Sequence, residues 1–138
     1  GLLFGGPDYF ERADDTVLAL AMIETRAALD AVDDILAVDG LDGIFIGPND
    51  LAISLGVGPG SNWQHEPLAS ALARTARAAR AAGKMASIWW PGPEMARDMF
   101  TLGFHLAFAA ADMVMLRAEA QRRLTLLRAA RSPMAAAG

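Results

Sequence analysis

Gly40-Leu41-Asp42-Gly43-Ile44-Phe45-Ile46-Gly47-Pro48-Asn49-Asp50-Leu51 is the stretch on which the reading of the fold turns. Its centre, residues 44–47 (IFIG), reads as a short strand, because three large apolar side chains in succession leave neither face polar. Pro48 has a fixed φ and no N–H, which suits the first position of a following helix. Asn49 and Asp50 then stand in the opening turn of that helix. Upstream, residues 17–24 (VLALAMIE) make a longer apolar run that ends in a carboxylate, Glu24, again the pattern of a strand buried on both faces. Between the two runs, Thr25 is placed to cap a helix carrying Leu29, Val32, Ile35 and Leu36 on one stripe, and Asp39-Gly40 ends it.

Downstream, a Gly/Pro/Asn-rich loop over residues 56–63 leads into an Ala/Arg helix at about 66–82, stopped by Gly83. Residues 84–90 (KMASIWW) read as a third strand, and 93–102 as a helix closed by Gly103. Residues 106–111 read as a fourth strand, and Asp112 caps a last helix through about Arg128. Residues 129–138 read as a tail of low order. Strand and helix alternate with short connections, so the sheet is expected to be parallel. Four such units fit either a small open doubly wound sheet or half of an eight-stranded barrel, which usually needs about 250 residues. No strand runs into the G-x-G-x-x-G of the dinucleotide-binding open fold.

The composition narrows the function classes. With 138 residues, 54% hydrophobic and 20% charged, the chain has enough apolar matter for one domain. A net charge of −4 with scattered cations argues against nucleic acid as a partner. The absence of Cys excludes disulfides and thiolate chemistry and is compatible with the cytoplasm. No apolar run approaches the roughly 20 residues of a membrane span. Residue 1 is Gly, so a processed or shortened N-terminus is expected, and the low-order tail reads as a natural C-terminus.

Glu24 and Asp50 are the residues with chemical potential. A right-handed crossover makes their strands neighbours, about 4.8 Å apart, and brings both carboxylates to the C-terminal edge where α/β proteins keep their ligand sites. Two oxygen ligands of this kind suit a hard divalent ion. Each has a plainer reading as well: Glu24 as a solvated strand end, Asp50 as a first-turn acid favoured by the helix dipole.

Met22-Ile23-Glu24-Thr25-Arg26, followed at this distance by the 40–51 stretch, resembles the HpcH/HpaI family of class II, metal-dependent pyruvate aldolases. Residues 9–13, Gly83-Lys84 with the strand after it, and residues 103–116 continue the likeness in order. The resemblance implies a (β/α)8 (TIM) barrel of which this chain supplies the C-terminal half, four parallel βα units corresponding to strands five to eight. It implies Glu24 and Asp50 as ligands of a divalent metal (Mg²⁺, Mn²⁺ or Co²⁺), and substrate contacts from Asn49 and Asp50, whose backbone N–H groups would receive the carboxylate of pyruvate. The implied activity is formation or cleavage of 4-hydroxy-2-oxo acids, with an aldehyde as the second partner, as in aromatic compound catabolism.

The family's acid–base His and keto-holding Arg come from the other half of its barrel, so no catalytic residue is expected within residues 1–138. His65 reads as a surface residue, His105 as structural, and Lys84 lies at the wrong edge for a Schiff base. Asn49 stands where the family commonly has Ala. Trp89 occupies an aliphatic pocket-lining position and either narrows the substrate cavity or, with Trp90, packs the core. A citrate-lyase-type lyase acting on an acyl-CoA thioester, or a non-catalytic half-barrel, are the competing readings. The resemblance further implies a homo-oligomer in the full-length form. A half-barrel would also leave its first and last strands unpaired and its inner face apolar and open.

Overall fold

Each of the four apolar runs forms a strand in the computed structural model, which describes residues 6–60, 62–89, 95–108 and 110–131. The elements follow in the order α1 (Tyr9–Thr16), β1 (Leu20–Ile23), α2 (Arg26–Asp30), α3 (Val32–Leu36), β2 (Gly43–Ile46), α4 (Pro48–Ser54), α5 (Leu68–Ala81), β3 (Met85–Trp89), α6 (Ala96–Leu102), β4 (Leu106–Phe108) and α7 (Asp112–Arg131). The strands make one sheet in the order β1-β2-β3-β4, every pair parallel. The expected α/β class and parallel sheet of four βα units are therefore present.

Strand boundaries differ from the sequence reading for identifiable reasons. The first strand begins at Leu20, not Val17, because α1 runs to Thr16 and Val17 closes it by donating its N–H to the Ala13 carbonyl at 2.9 Å. Pairing starts where the partner strand starts, at Leu20 opposite Gly43. Just outside it, the Asp42 carboxylate accepts the Ala19 N–H at 2.7 Å. The described part of the fourth strand runs to Phe108, opposite Trp89 of β3. Trp90, Ala109 and the opening residues of the helix expected over 93–102 lie outside the described residues. The helix after Thr25 is divided at Ala31 (φ −91°, ψ 11°), and there the Asp30 carbonyl accepts from Arg74 Nη2 of α5 at 3.4 Å. The last helix runs past Arg128 to Arg131, since Ala129 and Ala130 favour helix and Pro133 stands beyond it. Residues 132–138 of the expected tail are outside the described residues.

Strand alternation separates two faces. Ile23, Ile44, Ile46, Ala86 and Ile88 point into a core built with Leu29, Val32, Leu36, Leu51, Leu68, Leu72 and Met99 of the helices. Each fully buried Ile or Leu contributes about 1.5–3 kcal/mol over leaving it in water. The opposite face carries Met22, Phe45, Ser87, Trp89, Leu106 and Phe108. Met22 (54%), Phe108 (42%) and Leu106 (38%) remain exposed there. Phe45 and Phe108, from the strands flanking β3, meet edge-to-face with centroids 5.2 Å apart. Ser87 lies between Phe45 and Leu106 in the register and is fully buried. No helix among the described residues is long and apolar enough to cross a membrane.

Candidate metal centre

Ile23 pairs with Ile46, so the chain leaves β1 and β2 side by side and in the same direction. Glu24 is the first residue beyond β1, and Asp50 lies in the first turn of α4, directly after β2. Local bonds hold this junction. Thr25 Oγ1 accepts the Ala28 N–H at 3.1 Å, the expected N-cap. The Arg26 N–H donates to Ser54 Oγ at 2.8 Å and Arg26 Nη2 to the Leu55 carbonyl at 3.5 Å, tying the residues after Glu24 to the far end of α4. The Gly47 N–H donates to the Ile23 carbonyl at 3.3 Å, and the Gly47 carbonyl accepts from the Leu51 N–H at 2.9 Å.

Gly47 therefore sits between the two acids. A Cβ built on it would lie 3.1 Å from Glu24 Oε2 and 3.9 Å from Asp50 Oδ2, so both carboxylates reach within 4 Å of one point. Among the described residues neither carboxylate has a hydrogen-bond or ion-pair partner. Glu24 is half-buried and Asp50 exposed. Two carboxylates that reach one point suit a hard divalent cation, which takes oxygen ligands at about 2.0–2.5 Å. Glu24 and Asp50 could hold such an ion with positions to spare, because no third Asp, Glu or His joins them among the described residues.

A cavity of ≈ 320 Å³ opens over this pair, lined by Met22, Glu24, Phe45, Gly47, Pro48, Asn49, Asp50 and Trp89. It lies at the C-terminal end of the open sheet face. Trp89 of β3 forms one wall, and the carboxylates form the other. The Asn49 and Asp50 N–H groups belong to the first turn of α4, where helix geometry supplies no intrahelical acceptor. The Asn49 side chain is engaged elsewhere: Oδ1 accepts the Gly60 N–H at 3.1 Å and pins the loop that follows α4. No spacing rule exposes that bond, nor the Arg26–Ser54 tie, since both join residues through tertiary proximity.

Among the described residues no further His, Asp or Glu gathers with the pair. His65 is exposed in the loop before α5. His105 stands at the opposite end of the sheet, where its Nδ1 accepts the Ala86 N–H at 3.1 Å, a structural role. Lys84, just before β3, donates to the Val38 carbonyl at 2.6 Å. Asp112 is the first residue of α7 and not its cap as expected: the Ala111 carbonyl accepts the Met115 N–H at 3.0 Å, and Asp112 Oδ1 accepts only the adjacent Met113 N–H at 2.7 Å.

Residues 4–120 match the HpcH/HpaI aldolase/citrate lyase family model. The chain belongs to that family. It is 44% identical over 124 residues to a hydroxypyruvate/pyruvate aldolase of Rhizorhabdus wittichii, covering 90% of this chain and 49% of that protein. It is 37% identical over 110 residues to a 4-hydroxy-2-oxo-heptane-1,7-dioate aldolase of Klebsiella pneumoniae, covering 80% of this chain and 41% of that one. A crystal structure of an HpcH/HpaI aldolase/citrate lyase family protein from Burkholderia cenocepacia superposes with a TM-score of 0.74 at 30% identity, over 88% of this chain and 47% of that chain. This HpcH/HpaI chain thus spans about half the length of the relatives it matches, and its four-stranded sheet corresponds to about half of the family's barrel.

Proposed function

We propose that this chain carries the metal- and pyruvate-binding half of a divalent-metal-dependent aldolase that forms or cleaves 4-hydroxy-2-oxo acids. The observation that carries the reading is the convergence of two unpartnered carboxylates, Glu24 and Asp50, around Gly47 at the C-terminal edge of adjacent parallel strands. Family membership and the aldolase names of the relatives support the reaction class. When bound, a divalent ion supplies Lewis acidity that polarises the ketone of a 2-oxo acid and steadies the charge that develops on carbon–carbon cleavage.

The chain's own residues do the rest of what this half can do. Glu24 and Asp50 hold the ion, and the Asn49 and Asp50 N–H groups receive the substrate carboxylate. Trp89, with Met22 and Phe45, walls the cavity and limits the space left for the aldehyde portion. Among the described residues that line it, none is a His, Arg or Lys. In this reading the group that moves the proton and the cation that steadies the keto oxygen come from the other half of the barrel.

The test is a retro-aldol assay on a 4-hydroxy-2-oxo acid, with released pyruvate read through lactate dehydrogenase and NADH. Residues 1–138 alone with Mn²⁺ are expected to give a rate orders of magnitude below that of the same chain joined to a complementary half-barrel. The joined form should lose activity to EDTA and regain it with Mn²⁺ or Mg²⁺. Full activity from residues 1–138, or activity indifferent to EDTA, would overturn the proposal.

A further inference from the structure

Gly47 is the one site-lining residue whose side chain is missing, and the backbone does not explain why. Its φ of −94° is open to any L residue, so no left-handed conformation calls for glycine here. The reason lies in space. An added Cβ would stand 3.1 Å from Glu24 Oε2 and 3.3 Å from Glu24 Cβ, both tighter than ordinary van der Waals contact.

The two contacts would yield differently. Glu24 Cβ is carried by backbone fixed on both sides, by the β1–β2 pairing before it and by the Thr25 cap and the Arg26–Ser54 bond after it. It can give by only a few tenths of an ångström. The carboxylate is the free end of three rotatable bonds, with no bond to protein among the described residues to hold it. A methyl group at position 47 would therefore push the carboxylate of Glu24 aside by a few tenths of an ångström from the space it shares with Asp50, a shift that matters where metal–oxygen distances are held within about 0.2 Å, while the strand–helix junction stays intact.

We infer that Gly47 is a positioning residue for metal capture: its missing side chain is the space in which the Glu24 carboxylate lies beside Asp50. The inference rests on the metal reading given above. It adds that the pair of carboxylates alone does not set the affinity, and that a site with Glu24 and Asp50 intact binds more weakly once position 47 carries a Cβ.

Mn²⁺ binding, read by calorimetry and by loss of the free-ion electron paramagnetic resonance signal, tests this together with the urea midpoint of the metal-free protein. Gly47→Ala should weaken Mn²⁺ binding at least tenfold with the unfolding midpoint unchanged. Equal Mn²⁺ affinity in wild type and Gly47→Ala would overturn the role of Gly47 and leave the metal reading standing. No Mn²⁺ binding by wild type would overturn both. If Gly47→Ala instead lowers the midpoint, the substitution is repeated in a Glu24→Ala background. A loss confined to the protein that retains the Glu24 side chain supports the steric pairing, and an equal loss in both backgrounds overturns it.

Discussion

Gly43→Ala is the perturbation that most severely tests the sheet on which the site is built. Gly43 opens β2 between Leu20 of β1 and Met85 of β3. A Cβ there would fall 2.1 Å from the Met85 carbonyl oxygen and 2.8 Å from its carbon. An ordinary carbon–oxygen approach is about 3.3 Å, so the strands would have to part by roughly 1 Å. Parting them strains the Met85 N–H bond to the Asp42 carbonyl, now 2.9 Å, whose loss costs about 1 kcal/mol. Disturbed packing around it adds about 1–3 kcal/mol, for a total near 3 kcal/mol. In a chain of this size that lowers Tm by roughly 10 °C.

Gly83→Ala and Gly58→Ala calibrate the Gly43 result. Gly83 has φ +68° with nothing within 4 Å, so its cost is backbone strain alone, about 1 kcal/mol. Gly58 has no positive φ and a Cβ added there would meet nothing within 4 Å, so Ala should stabilise by up to about 1 kcal/mol through the unfolded state. Urea denaturation followed by circular dichroism reads all three. A Gly43→Ala protein no less stable than Gly83→Ala would refute the β2–β3 register.

Other consequences are open to measurement. Ser87 is fully buried with its hydroxyl unpartnered among the described residues, so Ser87→Ala should be neutral or stabilising by up to about 1 kcal/mol; a loss above that by urea denaturation would mean the hydroxyl has a partner. Arg122 and then Arg123 hold the Glu119 carboxyl down, from 4.5 to about 2. Because the folded value is depressed, the stabilising contribution is complete above the unfolded value of 4.5 and disappears as pH falls through about 2. A carboxyl-carbon NMR titration should show that low midpoint, returning toward 4.5 when both arginines become Gln; a midpoint unmoved by their removal would contradict the assignment. The exposed Met22, Leu106 and Phe108 on the open face, with β1 and β4 at the sheet edges, should drive self-association. Light scattering should then show the apparent mass falling on dilution, and a monomer at every concentration would contradict this.

The fold was legible where burial alone decides it. The apolar runs around Ile23, Ile46, Ile88 and Ala107 are strands because their side chains leave no polar face, and that pattern is written locally. Boundaries set by a partner were not legible. β1 begins at Leu20 because pairing with β2 starts there, at Gly43. The helix α1 escaped because its 8 residues are too few to establish a helical period. At the site, Glu24 and Asp50 were visible as acids at the ends of neighbouring strands. The Asn49–Gly60 and Arg26–Ser54 bonds were invisible, since they depend on how the loop and helices fold back. The crowding at Gly47 had a signal of a kind, a glycine at a strand–helix junction close to an acid, but its meaning appears only when Glu24 is placed beside it.

The central claim is that Glu24 and Asp50 together form a divalent-metal site. Mn²⁺ titration of the wild-type chain beside Glu24→Gln and Asp50→Asn tests it most directly, because each substitution removes the charge and keeps the shape. The account predicts Glu24- and Asp50-dependent Mn²⁺ binding in the wild type and at least a tenfold loss in each variant, with unchanged far-ultraviolet circular dichroism. Equal Mn²⁺ affinity in all three proteins would contradict it.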